Sequence, residues 1–282
     1  MIFTGELLKN AVAFTTFAGI LAAFTSAPQA LAASATDTPP PDSDISKLAL
    51  LKESPRFAKD KEIVLKGKGT IRDADALSEG VLFQIEYEHV SRAGCAVSTT
   101  IRQTDSAGKE LVIEKTEYDA QGSLKTYRMQ QLQNNSASAV KISQSRVFMT
   151  WLEDGKTSTS SDNATANTVS AGSLMAYLNR FANNLEQGLT VPVRLAIPDR
   201  GRVLGFDISR REPSCLGGES DFCVNLSLSN FFLRKVVRPI TMSFYKSPEG
   251  FRPLSLEAPS LVRKLKNSRL EKFTARIDYQ RL

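Results

Sequence analysis

The stretch Val81-Leu-Phe-Gln-Ile-Glu-Tyr-Glu88 decides the fold class, because large apolar side chains occupy every second position. Phe83, Ile85 and Tyr87 alternate with polar residues, which predicts a strand with one buried face and one solvated face. The same alternation recurs at residues 147–151, 191–197, 204–208, 240–244 and 273–279. Turns that contain glycine separate many of these runs. The sequence therefore predicts a meander of antiparallel strands.

One segment departs from the period of two. Its apolar side chains recur at offsets of three and four residues, at Leu174, Tyr177, Leu178, Phe181 and Leu185. This spacing places them on one face of a helix that begins near Ser170 or Ser173 and ends at Gly188. We therefore expect a mainly β protein in which a strongly curved antiparallel sheet packs on one main helix near residues 171–188. The Ser/Thr/Asn-rich residues 157–168 predict a long loop.

The first 32 residues have the features of a secretory signal peptide. Lys9 supplies positive charge, residues 11–24 are apolar, and Ala30-Leu31-Ala32 fits the small-residue cleavage pattern. The apolar run is short for a bilayer-spanning helix; an uncleaved membrane anchor is the alternative. Residues 33–45 predict a flexible linker. We expect a single domain over residues 46–282, soluble in the periplasm, with no transmembrane segment after cleavage.

The cysteines agree with export. Cys215 and Cys223 bracket a turn-rich insert with two glycines, and such a pair forms a disulfide in an oxidising compartment. Cys95 is left over, and sequence alone leaves open whether it pairs with one of the others. The alternatives to a disulfide are three free thiols or a metal site. The chain contains one histidine, so the sequence predicts no metal ligands.

Few residues suit catalysis. His89 is the only imidazole in the chain and lies at the end of a predicted strand. We interpret it as a packed or solvated side chain and not as a catalytic base. Ser106 and Lys109 match the S-x-x-K pattern, but they lie in a polar turn rather than at the start of a helix. We expect no catalytic residues and no cofactor, and a protein that is not an enzyme. The alternative is a hydrolase acting on envelope polymers through carboxylates that the sequence does not identify.

Basic residues slightly outnumber acidic ones, 36 against 30, for a net charge of +6. Candidate contacts for anionic groups such as lipid phosphates are Arg200, Arg202, Arg210, Arg211, Arg234, Lys235 and Arg238. A further group comprises Arg263, Lys264, Lys266, Arg269 and Lys272. A solvated basic surface is the alternative interpretation. These groups lack interleaved aromatic residues, which together with the predicted export argues against nucleic-acid binding.

Large apolar residues are candidates for the concave face of the predicted sheet. They are Phe83, Tyr87, Trp151, Phe206 and Phe244. Curved sheets either enclose ligand cavities or fill with side chains. The sequence thus favours a protein that binds an apolar or anionic, lipid-like ligand of the cell envelope. A protein partner in the envelope, or a role in envelope assembly, is the other option.

The second half of the chain resembles a family of uncharacterised bacterial periplasmic proteins. The resemblance covers residues 171–256 best. It rests on Leu174-Met-Ala-Tyr177 with Phe181, Leu185-x-x-Gly188, Ala196-Ile-Pro198, the stretch Phe231-Phe-Leu-Arg-Lys-Val-Val-Arg-Pro-Ile240, and Phe251-Arg-Pro-Leu254. Proteins of this kind resemble lipoprotein-carrier half-barrels, in which a curved antiparallel sheet wraps a helix. The resemblance implies a half-barrel-like fold and a periplasmic location, and it implies no reaction.

Overall fold

The computed structural model describes residues 62–211, 215–216, 220–230, 234, 237–247 and 250–281. The predicted signal peptide, the predicted linker and Lys235 lie outside these residues. The strands are β1 (Glu62–Asp73), β2 (Phe83–Arg92), β3 (Cys95–Thr104), β4 (Glu110–Tyr118), β5 (Leu124–Gln131), β6 (Ser136–Ser143), β7 (Arg146–Glu153), β8 (Lys156–Asn163), β9 (Thr168–Val169), β10 (Val191–Ile197), β11 (Arg202–Arg211), β12 (Phe222–Leu228), β13 (Ile240–Ser247), β14 (Gly250–Pro259), β15 (Lys264–Lys266), β16 (Arg269–Glu271) and β17 (Thr274–Tyr279).

Fifteen of these strands form one sheet, in which two meanders meet at the middle. β1 pairs with β2 on one side and with β17 on the other. The first meander runs outward from β1 to β8, and the second returns from the opposite edge at β9 through β14. Among the described strands, β9 with β10 is the one parallel pairing. The predicted mainly β fold with a curved antiparallel sheet is confirmed, and the sheet is not closed. β15 and β16 form a separate hairpin.

Side chains connect the two ends of the sheet. Asp162 of β8 accepts a hydrogen bond from the backbone N–H of Val203 on β11, with a distance of 3.2 Å. Arg194 of β10 lies 3.8 Å from the same carboxylate and donates to the carbonyl oxygen of Asn163 at 3.0 Å. Because β8 lies at one end of the strand order and β10 near the other, these contacts require strong curvature of the sheet.

The predicted helix is present but interrupted. A 3-10 turn (Ala171–Ser173) leads into α1 (Leu174–Arg180), and α2 (Ala182–Glu186) follows after a break at Phe181. The five apolar residues of the predicted stripe are at most 6% exposed and pack in one cluster with side chains from β10 to β14. The segment ends as expected at Gly188, whose φ of +79° suits glycine.

The predicted disulfide joins Cys215 to Cys223. Cys223 belongs to β12, so the bridge attaches the preceding loop to a strand inside the sheet. Cys95, the third cysteine, lies at the start of β3 and takes no part in this bridge.

Candidate ligand cavity

A largely apolar cavity of about 80 Å³ lies between the start of α1 and the sheet. Leu174 and Met175 of α1 form one side of it. The strands supply the other side through Ile85, Ile101, Gln103, Glu114, Met242, Phe244, Pro253, Ser255, Leu256, Ile277 and Tyr279, together with Ala171 and Leu261. Members of this lining come from both meanders, so the cavity depends on the central pairing of β1 with β17.

Strand register explains the apolar wall. Met242 lies opposite Leu256, and Leu256 lies opposite Ile277, so three neighbouring strands present one continuous row. All three residues line the cavity. Because side chains opposite one another across a strand pair project from the same face, this row forms from the alternation that the sequence displays.

The 3-10 turn before α1 lies directly on the sheet. A Cβ atom at Gly172 would come within 2.3 Å of the Thr116 hydroxyl and 3.3 Å of the Tyr127 ring. Only glycine therefore permits this close approach without displacing the neighbouring side chains. The approach positions Ala171 and Leu174 at the cavity.

A buried carboxyl group, Glu114, lines the cavity. Glu114 is 4% exposed, and its Oε2 accepts a hydrogen bond of 2.8 Å from the Tyr127 hydroxyl. Burial raises the pKa of Glu114 to about 7, and the hydrogen bond from Tyr127 opposes this rise. Glu114 is therefore partly protonated near neutral pH, when it can donate as well as accept a hydrogen bond.

Gln103 adds a second polar group to the same lining. Its side chain is 3% exposed, and its Oε1 atom has no hydrogen-bond partner among the described residues. A buried amide oxygen without a hydrogen-bond donor destabilises the folded protein, because it has lost its hydrogen bonds to water and makes none within the protein. Glu114 and Gln103 together offer a small polar region in a mostly apolar space.

A chain of hydrogen bonds connects β2, β3 and β4 to the turn before α1. The Tyr118 hydroxyl donates to the carbonyl oxygen of Gly172 at 3.2 Å, and the Thr99 hydroxyl lies 3.0 Å from that of Tyr118. His89 Nδ1 lies 2.8 Å from Thr99 Oγ1. Since Tyr118 uses its hydrogen on Gly172, Thr99 donates to Tyr118 and accepts from Nδ1 of a neutral His89. Burial lowers the pKa of His89 to about 4, which favours that neutral form.

A second cavity, of about 60 Å³, is more polar. It lies near the turn before β11 and is lined by Met129, Gln131, Asn134, Ser136, Ala137, Ser138, Trp151, Leu152, Glu153, Asp199, Leu261, Arg263 and Lys272. Burial raises the pKa of Asp199 to about 6 against the opposing effect of Arg200 and Lys272. Burial also lowers the pKa of Lys272, and the positive charges of Arg263 and Arg200 add to this effect.

The five predicted concave-face residues do not share one cavity. Phe244 lines the apolar cavity, whereas Trp151 lines the polar one. Phe206 is 2% exposed inside the cluster beneath the second meander. Phe83 stacks on Phe273 with a ring-centroid distance of 6.2 Å, and Tyr87 contacts Tyr279 edge to face at 5.7 Å.

The predicted anion-contacting residues are spread over the surface. Arg202 and Arg211 lie at opposite ends of β11, about 30 Å apart at 3.3 Å per residue. Arg200 lies in the turn that precedes β11, whereas Arg210 lies at its far end and donates to the carbonyl oxygen of Glu186.

Two further candidates, Arg234 and Arg238, take part in ion pairs. Arg234 binds Asp207 at 2.6 Å, and Arg238 lies 3.7 Å from Asp75. The structure instead brings Arg200 near Arg263 and Lys272, although the sequence analysis placed Arg200 in a different group from these two residues.

Two further findings bear on function. Within the described ranges, no three His, Cys, Asp or Glu side chains are arranged to hold a metal ion. In the same part of the chain, no helix has the length and apolar character needed to cross a bilayer.

Sequence reasoning missed Glu114, Gln103 and Asp199. Glu114 and Gln103 occupy inward positions of their strands, so a polar residue in phase with apolar neighbours was the available signal. On β4 the alternating buried positions are Val112, Glu114, Thr116 and Tyr118, with Leu111 also buried, and this phase gives the apolar Ile113 an outward position. Asp199 follows Pro198 in a turn and carries no such signal.

No family model matches the chain, and no curated protein matches it. Among solved structures, the chain is similar to a β-barrel-like protein of domain of unknown function DUF1849 from Brucella abortus. The sequence identity is 14%, the TM-score is 0.47, and the alignment covers 79% of this chain and 97% of that one. The chain is thus similar to an uncharacterised β-barrel-like domain.

Proposed function

We propose that this protein is an exported periplasmic binding protein, not an enzyme, that holds the apolar part of a cell-envelope ligand between α1 and the sheet. The observation that carries the proposal is the apolar cavity with Glu114 and Gln103 in its lining. Ligand sites are typically concave, mostly apolar and equipped with a few polar groups that orient the ligand. The cavity has each of these features.

The polar groups suggest which ligands bind. Gln103 Oε1 requires a hydrogen-bond donor, and ionised Glu114 accepts one as well. We infer a ligand with an apolar chain and a hydroxyl, amide or amine donor, as found in many lipids. A ligand without such a donor would leave Gln103 Oε1 unpaired and would bind more weakly.

The size of the cavity limits what enters without rearrangement. At about 80 Å³ it is roughly half of a cavity that accommodates benzene. An acyl chain therefore requires α1 to move or Met175 to change rotamer. Methionine is suited to this role because its unbranched side chain adapts to irregular spaces. Met175 is half-buried and packs at the edge of the cluster beneath α1.

A fluorescent fatty-acid amide tests the proposal. Wild-type protein should bind the probe with increased emission, and a long-chain alcohol should displace it. Met175→Trp fills the cavity with a larger side chain, so it should weaken probe binding at least about ten-fold. The matched control is Leu189→Trp, which adds the same ring at a position that is 44% exposed and should bind like wild type.

Two outcomes would overturn the proposal. One is the absence of probe binding by folded wild-type protein. The other is equal probe affinity in Met175→Trp and Leu189→Trp when circular dichroism shows both to be folded.

Hydrolysis of an envelope polymer is a second candidate, favoured by one observation. Asp199, with its pKa raised to about 6 by burial, lines the polar cavity together with Glu153. A carboxyl group whose pKa is raised toward neutral pH suits a general acid. Glu114, the other carboxyl group with a raised pKa, lines the apolar cavity, so the two groups do not share one site. Release of soluble sugars from purified peptidoglycan by wild type, and its loss in Asp199→Asn, would establish this activity; no release by wild type would exclude it for that polymer.

A further inference from the structure

The hairpin of β15 and β16 extends from the body of the protein. Leu261 and Val262 before it, and Phe273 after it, are at most 6% exposed and fix its base. Every residue from 265 to 271 is exposed. The chain reverses through Asn267 and Ser268, which both have positive φ, as in a two-residue hairpin turn.

Two leucines occupy the hairpin side by side. Leu265 and Leu270 are paired directly across the strands, so their side chains project from the same face. Leu265 is 72% exposed, the highest value among the exposed large apolar residues described, and Leu270 is 40% exposed. The hairpin thus presents a pair of apolar side chains to solvent at a protruding site.

Positive charge flanks this pair along both strands, on the opposite face of the hairpin. Residues 264–272 contain four basic residues and one acidic residue, a net charge of +3. Lys266 and Arg269 lie directly opposite each other, and like charges in such a pair weaken a hairpin. Lys264 is anchored by Asp73 at the base, and Lys266 lies 3.9 Å from Glu271.

We propose that this hairpin docks the protein on a membrane surface rich in anionic lipids, with Leu265 and Leu270 entering the interface and Lys266 and Arg269 contacting lipid phosphates. Exposed leucines and two opposed cations are both unfavourable in water, and an anionic bilayer surface relieves both. The long aliphatic stems of lysine and arginine reach phosphates beside a buried apolar side chain. Docking does not depend on what occupies the apolar cavity, so it goes beyond the proposed function.

Tryptophan fluorescence provides a local test in the full chain. Leu265→Trp should shift its emission to shorter wavelength, and brominated lipids should quench it, when phosphatidylglycerol is mixed into phosphatidylcholine vesicles. Wild-type protein with Trp151 supplies the background. Adding Lys266→Ser and Arg269→Ser should weaken vesicle binding about 25-fold at low salt, at about five-fold per charge. Raised salt should weaken the binding of Leu265→Trp itself.

Leu189→Trp is the matched control, since it places the same ring at an exposed leucine far along the chain from the hairpin. Its emission should not change with either vesicle. The proposal is wrong if Leu265→Trp shows no shift with phosphatidylglycerol vesicles, if phosphatidylcholine alone produces an equal shift, or if Leu189→Trp shifts equally. Probe binding in the apolar cavity should be unchanged in Lys266→Ser/Arg269→Ser, which separates failure of this inference from failure of the proposed function.

Discussion

At the residue scale, Glu114 makes stability depend on pH. Its pKa rises from 4.5 to about 7 because it is buried. Between these values the folded protein keeps a proton that the unfolded chain releases, so stability falls as the pH rises through this window. Glu114→Gln removes the titrating group. Wild type should therefore lose about 3 kcal/mol more than the variant between pH 4.5 and 7.

Urea denaturation of both proteins at pH 5 and pH 8 measures this difference. Comparing the two proteins cancels the contributions of Asp199 and His89, which are common to both. Parallel pH profiles of the two unfolding free energies would contradict the assignment of a raised pKa to Glu114.

His89 has the opposite dependence. Burial lowers its pKa from 6.5 to about 4, so the unfolded chain takes up a proton between these values that the folded protein excludes. The stability contribution of His89 is therefore complete above pH 6.5 and is lost as the pH falls toward 4. As the chain has one histidine, its Hε1 proton resonance can be followed without ambiguity. We expect a midpoint near pH 4 in the folded protein; a midpoint near 6.5, as in urea, would show that the ring is solvated.

At the element scale, the buried stripe of α1 and α2 should dominate the stability of that segment. Phe181 is 6% exposed and packs against Tyr177 with a ring-centroid distance of 4.9 Å. Phe181→Ala should cost about 3–5 kcal/mol. Gln187→Ala, at an exposed position after α2, should change stability by less than about 0.5 kcal/mol. Thermal unfolding of the two variants would contradict the packing if both melted at the same temperature.

Asn179 illustrates what helical periodicity omits. It lies outside the apolar stripe, which predicts a neutral substitution. In the structure its amide oxygen accepts from the Phe251 backbone at 2.8 Å and its amide nitrogen donates to the Phe251 carbonyl at 3.2 Å. Asn179→Ala should therefore cost about 1–3 kcal/mol. The partner is 72 residues away, so the sequence alone gives no sign of this contact.

Strand β8 shows the corresponding limit for the sheet. Its sequence, Lys-Thr-Ser-Thr-Ser-Ser-Asp-Asn, lacks apolar residues and predicted a loop, which is wrong. All eight residues pair with β7 instead. Alternation identifies a strand by its buried face, so a strand held mainly by backbone hydrogen bonds to its neighbour escapes detection. The strongly alternating strands β2, β10 and β17 were predictable for the same reason.

At the scale of the whole molecule, Asp162 should hold the two ends of the sheet together. Asp162→Ala removes the acceptor for the Val203 N–H and the carboxylate near Arg194. We expect a loss of about 1–3 kcal/mol and faster hydrogen exchange in β8 and β11. Thr159→Ala, at an exposed position on β8, is the control and should leave both properties unchanged. Equal exchange in the two variants would mean that other contacts maintain the curvature.

The sequence predicted the elements around the two cavities but not the cavities themselves. The alternation of apolar residues predicted the antiparallel sheet. The offsets of three and four residues between apolar side chains predicted the helical segment that covers it. The cavities depend on which strands of the two meanders meet, and that pairing joins residues such as Gly69 and Tyr279, which are far apart in the chain. The five aromatic residues proposed for one concave face consequently separate among cavities and packed clusters.

Native mass spectrometry of the protein purified from its own cell envelope would detect a ligand bound in the apolar cavity. We expect wild type to carry a bound apolar molecule that is absent from Met175→Trp and retained in Leu189→Trp. Wild-type protein that appears only at its bare mass would rule out a bound ligand, and a molecule present to the same extent in Met175→Trp would rule out binding in this cavity.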